Sequence, residues 1–473
     1  MTPPPSPAVE GGAAAAAAGH GGRERHVLLF PLPYQGHINP MLRLAGVLRA
    51  RGFAVTVFHT HFNAPDAARH PEHRFVAVPD GMSGRPPPVS VGDVVKHIRA
   101  LNAACEAAFR DRLAGVLAEY SRDAVACLVA DAHLLRMVEV ARRLAVPTLV
   151  LRTGSAACFA SFLAYPLLCE RGYLPSSSQL DMPVSELPPY RVRDLMHIGM
   201  DGHELMCELL ACAVAAVKLS SGLILNTFDA LEAHELAKLR RDLAVPVFDI
   251  GPIHRFSPAA DGSLLHQDRS CLAWLDAQAA ESVLYVSFGS LASMGARELV
   301  ETAWGIAGSG VPFLWVVRPG LVRGCAAPGE PTRLLLPEGF EAATRRRGVV
   351  VAWAPQEEVL RHRAVGGFWT HSGWNSTTES LAEGVPMLCR PSFGDQMGNA
   401  RYVEHVWKAG FEVGGELERG AVEAAIRRLM AESDGGEMRA RARELKKAAA
   451  ECTGKPGSSE MAIVKMVTHM LSL

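Results

Sequence analysis

The chain has 473 residues, 49% of them hydrophobic and 21% charged, an ordinary globular composition with room for two or three domains, each with a full core. Lys and Arg number 48 against 49 Asp and Glu, and the resulting formal net charge of −1 gives no electrostatic reason to expect nucleic acid or an anionic membrane as a partner. The 10 cysteines include no CxxC pair and mostly sit in apolar runs such as CLVAD and MLCRP, so they read as buried reduced thiols; no spacing suggests a metal cluster.

Residues 1–25 (MTPPPSPAVEGGAAAAAAGHGGRER) are rich in Pro, Gly and Ala and read as a disordered tail, without the basic start and apolar core of a secretory signal. No later segment offers about 18 uncharged apolar residues, so a soluble cytoplasmic protein is expected. HVLLFPLP at 26–33 has buried-strand character; an amphipathic helix from about Asn39 to Arg51 and a second apolar run, FAVTVFH at 53–59, complete a βαβ unit. The pattern recurs with CLVAD (127–131), a helix through Arg143, VPTLVLR (146–152) and GLILNTF (222–228). A first domain is thus expected over 26–250, followed by a Pro/Gly/Ser-rich linker over 251–270. A second α/β unit, 271–455, opens at SVLYVSFGS (282–290) and continues through PFLWVVR (312–318), GVVVAW (348–353), GGFWTH (366–371) and VPMLCRP (385–391). Residues 321–340 read as an excursion, and 456–473 as a C-terminal helix able to pack back across the domain boundary. The expected fold class is α/β, with two Rossmann-like domains facing each other across a cleft.

The chemistry-bearing residues lie in loops after strands. From Trp353 to Gln396 the chain reads WAPQEEVLRHRAVGGFWTHSGWNSTTESLAEGVPMLCRPSFGDQ. It supplies a flat ring, a His, a Gly-containing turn opening a helix, a Glu and a final Asp-Gln. Stacking, backbone N–H groups and carboxylates are what a nucleotide-sugar's base, phosphates and hydroxyls require. Neither GxGxxG nor GxxxxGKS/T follows the first strand of either domain, which removes the usual support for dinucleotide or P-loop readings.

This stretch resembles the signature box of the plant secondary-product (family 1) UDP-glycosyltransferases, and the resemblance extends from about His26 to the C-terminus. It implies the two-domain architecture called GT-B. In it Trp353 stacks on uracil beside Ala354, and Gln356 and Glu379 meet the ribose. His371, Gly373, Trp374, Asn375, Ser376 and Ser290 surround the diphosphate, while Asp395 and Gln396 bind the hexose. Gln396 in the last place resembles enzymes using glucose, and Trp374 in place of Arg argues against glucuronic acid. The resemblance further makes His37, in PYQGHINP, the general base and Asp131, in CLVADAH, its partner. It sets Thr153 near the sugar and gives His133 no chemistry, leaving it a pocket-wall residue.

The phrases FPLPYQGHINPMLRLAGVL, FHTHFNAP and ELPPYRVRDL are similar to the branch containing cytokinin, benzoxazinoid and diterpenoid glucosyltransferases. The implied activity is inverting, metal-free transfer of glucose from UDP-glucose, the donor substrate, to a small lipophilic acceptor, by a monomer with no cofactor. The acceptor pocket is expected from loops around 82–100, 153–165 and 190–210, with Phe393. Two rival classes stay open: another UDP-sugar enzyme, such as an epimerase or retaining transferase, and a non-catalytic UDP-sugar-binding protein.

Overall fold

Short runs of Val, Leu, Ile and Phe, apolar on both faces, build two all-parallel sheets in this computed structural model, which describes residues 25–82, 88, 90–121, 124–175, 178–257, 262–323 and 336–473. The tail expected over 1–25, save Arg25, and most of the excursion at 321–340 lie outside the described residues, as do 258–261 of the expected linker.

The first sheet contains β1 (Arg25–Phe30), β2 (Phe53–Thr60), β3 (Arg74–Val78), β4 (Val125–Asp131), β5 (Thr148–Arg152), β6 (Leu223–Leu225) and β7 (Val247–Asp249), in the order β3-β2-β1-β4-β5-β6-β7. The second contains β8 (Val283–Ser287), β9 (Phe313–Val316), β10 (Gly348–Val351), β11 (Val365–Thr370), β12 (Met387–Cys389) and β13 (Gly410–Glu412), in the order β10-β9-β8-β11-β12-β13. Every residue of β4, β8, β9 and β11 is buried, which is why these strands read as unbroken apolar runs and not as alternating patterns. Edge strands β3 and β13 are short and lack that signature; β7 lies in the VPVFDIGPI segment that adjoins the expected linker.

Strand order reverses between β1 and β4 in the first sheet, and between β8 and β11 in the second. The crevice beyond the carboxyl ends of such a pair is where open α/β sheets take ligands. His37 follows β1 and Asp131 ends β4; Ser290 follows β8 and His371 follows β11. Both switch points therefore carry residues singled out in the sequence.

The helix after β1 begins earlier than its pattern suggests, spanning Gln35–Ala50, so His37 sits in its first turn and not in a loop before Pro40. Pro40 is inside that helix and has no N–H to offer the Gly36 carbonyl. The missing donor comes from the other lobe: Asn375 Nδ2 donates to Gly36 O at 3.0 Å.

An apolar seam joins the lobes. Trp374, Tyr402 and Trp407 belong to the same buried cluster as Phe228 and Leu231. Their polar atoms are bonded across the seam as well: Trp374 Nε1 donates to Asn226 O (2.8 Å), Trp407 Nε1 to Leu231 O (3.1 Å) and the Tyr402 hydroxyl to Glu235 (2.8 Å). The last helix, Ser458–Ser472, lies against the first sheet, with Ile463, Met466 and Met470 fully buried beside Val27, Leu29 and Phe248. Ser459 donates to Gly251 O at 2.6 Å, and Arg51 pairs with Glu460 at 2.7 Å.

Met466 has no exposed surface, so Met466→Ala is expected to destabilise the protein by about 2–5 kcal/mol through lost burial and a cavity. The measurement is the urea unfolding midpoint; an unchanged midpoint would mean that the terminal helix is not part of the cooperative fold.

Candidate active site

One cavity of about 1090 Å³ lies between the two switch points. It is bordered by His37, Thr153, Ser290, Trp353, Ala354, Gln356, His371, Gly373, Trp374, Asn375, Ser376, Glu379, Asp395 and Gln396. Of the site residues expected from the sequence, Asp131 alone does not border it, because that carboxylate sits 1% exposed behind His37.

The base side begins with this pair. His37 Nδ1 lies 2.6 Å from Asp131 Oδ2, while Asp131 Oδ1 accepts the backbone N–H of His133 at 2.9 Å. Burial opposes the charge on Asp131, but the adjoining His37, with the His133 N–H, outweighs it and holds the carboxyl below its ordinary range. An ionised Asp131 on Nδ1 places the ring proton there and leaves Nε2 as the basic atom. Thr153 Oγ1 is 3.0 Å from the same Nδ1, so this hydroxyl helps fix the imidazole. His133, its ring 5.9 Å from that of His37, borders the cavity. Burial, reinforced by Arg152, lowers its pKa to about 3, so it is neutral at pH 7.

The opposite wall presents free backbone N–H groups. Helix Trp374–Glu383 starts at Gly373 with no side chain capping it, which leaves its first N–H groups facing the cavity end. The His371 ring is wedged between two glycines: a Cβ at either Gly289 or Gly373 would come within 2.5 Å of it. Gly289 also has a φ of +69°, so glycine is required there twice over. Burial lowers the His371 pKa to about 4, with Arg318 adding to the effect, and its Nδ1 has no hydrogen-bond partner.

Arg318 was not singled out in the sequence. It is 6% exposed, donates to the carbonyls of Gly289 (2.7 Å), Ala292 and Pro319 (3.1 Å), and thus puts a positive charge under the Ser290 loop. Arg152, equally missed, is 5% exposed and folds over Gly154, where an added Cβ would lie 2.8 Å from Nη2. The one signal was shared: each is a cation closing an otherwise apolar strand run, TLVLR and FLWVVR.

The remaining residues hold one another. Gln356 Nε2 donates to Ser376 Oγ (2.9 Å) and to Glu379 Oε2 (2.8 Å). Burial, with nearby Glu357 adding to it, raises the Glu379 pKa well above the usual carboxylate range. Asp395 accepts from Asn399 (3.2 Å), and Gln396 Oε1 accepts the N–H groups of Ser392 and Phe393 (2.9 and 3.2 Å), which orients its amide at the cavity edge. The Trp374 and Asn375 side chains serve the lobe seam, so only their backbone N–H groups remain for an anion.

Two facing parallel α/β domains with an acid-backed His on one and an uncapped helix on the other define the GT-B class of glycosyltransferases. Residues 26–438 match the family model described as UDP-glucoronosyl and UDP-glucosyl transferase, and the chain belongs to that family. It is 50% identical over 455 residues to DIMBOA UDP-glucosyltransferase BX8 of Zea mays, covering 93% of this chain and 97% of that one. It is 42% identical over 447 residues to UDP-glycosyltransferase 76B1 of Arabidopsis thaliana, covering 94% and 98%. In structure it is similar to Phytolacca americana UGT2, solved in complex with UDP-2fluoro-glucose and pterostilbene, with a TM-score of 0.79, 27% identity and coverage of 94% and 99%. Among the described residues no helix is long and apolar enough to cross a membrane.

Glu379→Gln separates folding from binding. A Glu with a raised folded-state pKa contributes fully below its unfolded value, near 4.5, and loses that contribution as pH rises. The ligand-free variant is therefore expected to gain thermal midpoint over wild type on going from pH 5 to pH 8, while its affinity for UDP falls about 10-fold, the loss of a charge-assisted hydrogen bond. Calorimetry at the two pH values checks both; a stability difference that does not move in the variant's favour between pH 5 and pH 8 would contradict the raised pKa of Glu379.

Proposed function

We propose that the protein transfers glucose from UDP-glucose to a hydroxyl of a small lipophilic plant metabolite, with inversion at the anomeric carbon. The observation that carries this reading is the His37–Asp131 pair facing the uncapped Trp374–Glu383 helix across a single cavity. His37 Nε2 takes the acceptor proton as the acceptor oxygen bonds to C1 of the sugar. The bond from C1 to the diphosphate oxygen breaks, and UDP leaves on the opposite face. Asp131 stabilises the imidazolium that forms. Charge growing on the diphosphate meets the N–H groups at the helix start, Ser290, His371 and the field of Arg318. Trp353 stacks on the base, Gln356 and Glu379 hold the ribose, and Asp395 and Gln396 hold the hexose.

His37→Ala is expected to lower turnover at least about 100-fold while leaving the Kd for UDP nearly unchanged. Turnover assays with calorimetry, and NMR of the product for a β-anomer, test this. Near-normal turnover, or an α-linked product, would remove His37 from its role.

The acceptor half supports a class. Val95, Ile98, Met196, Met206 and Leu209 make it apolar, and Arg152 is its buried cation. Arg152 sits over the Phe162 ring at 4.9 Å, its Nε has no hydrogen-bond partner, and no carboxylate pairs with it among the described residues. Its Nη2 donates to Cys158 Sγ at 3.4 Å, and a buried guanidinium without a counter-charge is costly unless a ligand anion compensates it. Acceptors bearing an acidic oxygen, such as benzoxazinoid hydroxamic acids, fit this half, in keeping with the similarity to a DIMBOA glucosyltransferase. Arg152→Leu is expected to raise the KM for DIMBOA about 10-fold or more, as loss of a hydrogen bond to a charged group implies, and to spare a neutral phenol. Equal losses on both acceptors would make Arg152 a structural residue.

A further inference from the structure

Away from the catalytic pair, the packing of two helices brings Cys169 to a pair of groups that begins 34 residues further along the chain. Cys169 lies near the end of helix Ala156–Glu170, and His203 and Cys207 occupy the first turns of helix His203–Leu219. His203 Nε2 is 3.8 Å from Cys169 Sγ and 3.5 Å from Cys207 Sγ, and all three atoms lie within 4.8 Å of one another. His203 and Cys207 are four residues apart, on one helix face.

We propose that Cys169, His203 and Cys207 form a site for a divalent transition-metal ion of the zinc type, a Cys₂His set whose fourth position is open to solvent. Tetrahedral zinc, with Zn–S about 2.3 Å and Zn–N about 2.0–2.1 Å, sets its S···N pairs about 3.6 Å apart and its S···S pairs about 3.8 Å apart. The two S···N separations here, 3.5 and 3.8 Å, bracket the first value, and the two sulfurs lie within 4.8 Å of each other. Thiolate and imidazole ligands in this number suit zinc or cobalt, and do not suit magnesium or calcium, which take oxygen. All three residues are half-buried, which gives an ion access while shielding the thiols. The Tyr165 ring stacks on the His203 imidazole (centroids 6.2 Å, interplanar 27°) and fixes its plane.

Binding is an exchange without redox change. The ion takes the two thiolate sulfurs and the neutral His203 Nε2, and the thiol protons go to solvent. Sequence spacing suggests no metal cluster, because Cys169 reaches the other two only through helix packing. An ion here would clip helix Ala156–Glu170 to the helix whose Met206 and Leu209 border the cavity. That consequence rests on the glucosyl-transfer reading, whereas the site itself does not.

The test is titration of the full-length, reduced, metal-stripped protein with Co²⁺, followed by its visible spectrum. The expected result is one Co²⁺ per chain with tetrahedral bands and thiolate charge transfer, displaced by Zn²⁺. Cys169→Ser, Cys207→Ser and His203→Gln should each weaken binding at least about 100-fold, more than losses typical of outer-shell partners. Cys212→Ser, a half-buried cysteine further along the same helix, should bind as wild type does. The proposal is overturned if the wild-type protein shows no thiolate charge transfer, or if Cys169→Ser and Cys207→Ser bind Co²⁺ as tightly as wild type. The wild-type spectrum decides the matter even if a variant folds poorly.

Discussion

Pro40 removes one hydrogen bond from the helix that carries His37, and the opposite lobe restores it. Asn375 donates to the Gly36 carbonyl that proline cannot serve, at the very start of the helix whose N–H groups face the cavity. A single side chain thus ties the turn holding the base to the turn holding the anion site. The Trp374 indole, bonded to Asn226 O one residue earlier, anchors the same turn to the first lobe. The Asn375–Gly36 bond lies at an exposed edge of the seam and contributes about 1 kcal/mol, the net value of an ordinary hydrogen bond, toward the arrangement in which the two switch points face each other.

That constraint explains why so few residues act directly. Side chains that look in the sequence like ligand contacts, Trp374 and Asn375, are occupied in joining the lobes, and their backbone N–H groups are what remain for a ligand. Thr153, set near the sugar by resemblance, bonds His37. Charge is handled by burial. His133 and His371 are kept neutral, Glu379 is held protonated more readily than a free carboxyl, and Asp131 stays ionised because His37 compensates it. Beneath the Ser290 loop, Arg318 contributes a fixed positive charge that no carboxylate pairs among the described residues.

The fold was legible wherever strands are buried on both faces, because β4, β8 and β11 have no solvent side to interrupt their apolar runs. Edge strands β3 and β13 were not, β3 being half-covered and β13 only three residues long. The start of the base helix was misread because no side chain caps it: Tyr34 holds the N-cap position without a capping bond, and the amphipathic pattern begins only near Asn39, the fifth residue of the helix. The site's motif residues were legible as a set, since they lie in loops after strands. Arg152 and Arg318 were not, because each is a lone cation closing an apolar strand run, and the Cys169–His203–Cys207 group was not, because Cys169 reaches the other two only through the packing of separate helices.

The most direct measurement is a crystal structure with UDP, an unreactive glucose analogue and an acceptor bound together. The diphosphate is expected on the N–H groups of Trp374, Asn375 and Ser376, with His37 Nε2 about 2.6–3.2 Å from the acceptor hydroxyl. A diphosphate bound elsewhere, or an imidazole beyond the reach of one bridging water, would contradict the assembly of one active site from two lobes.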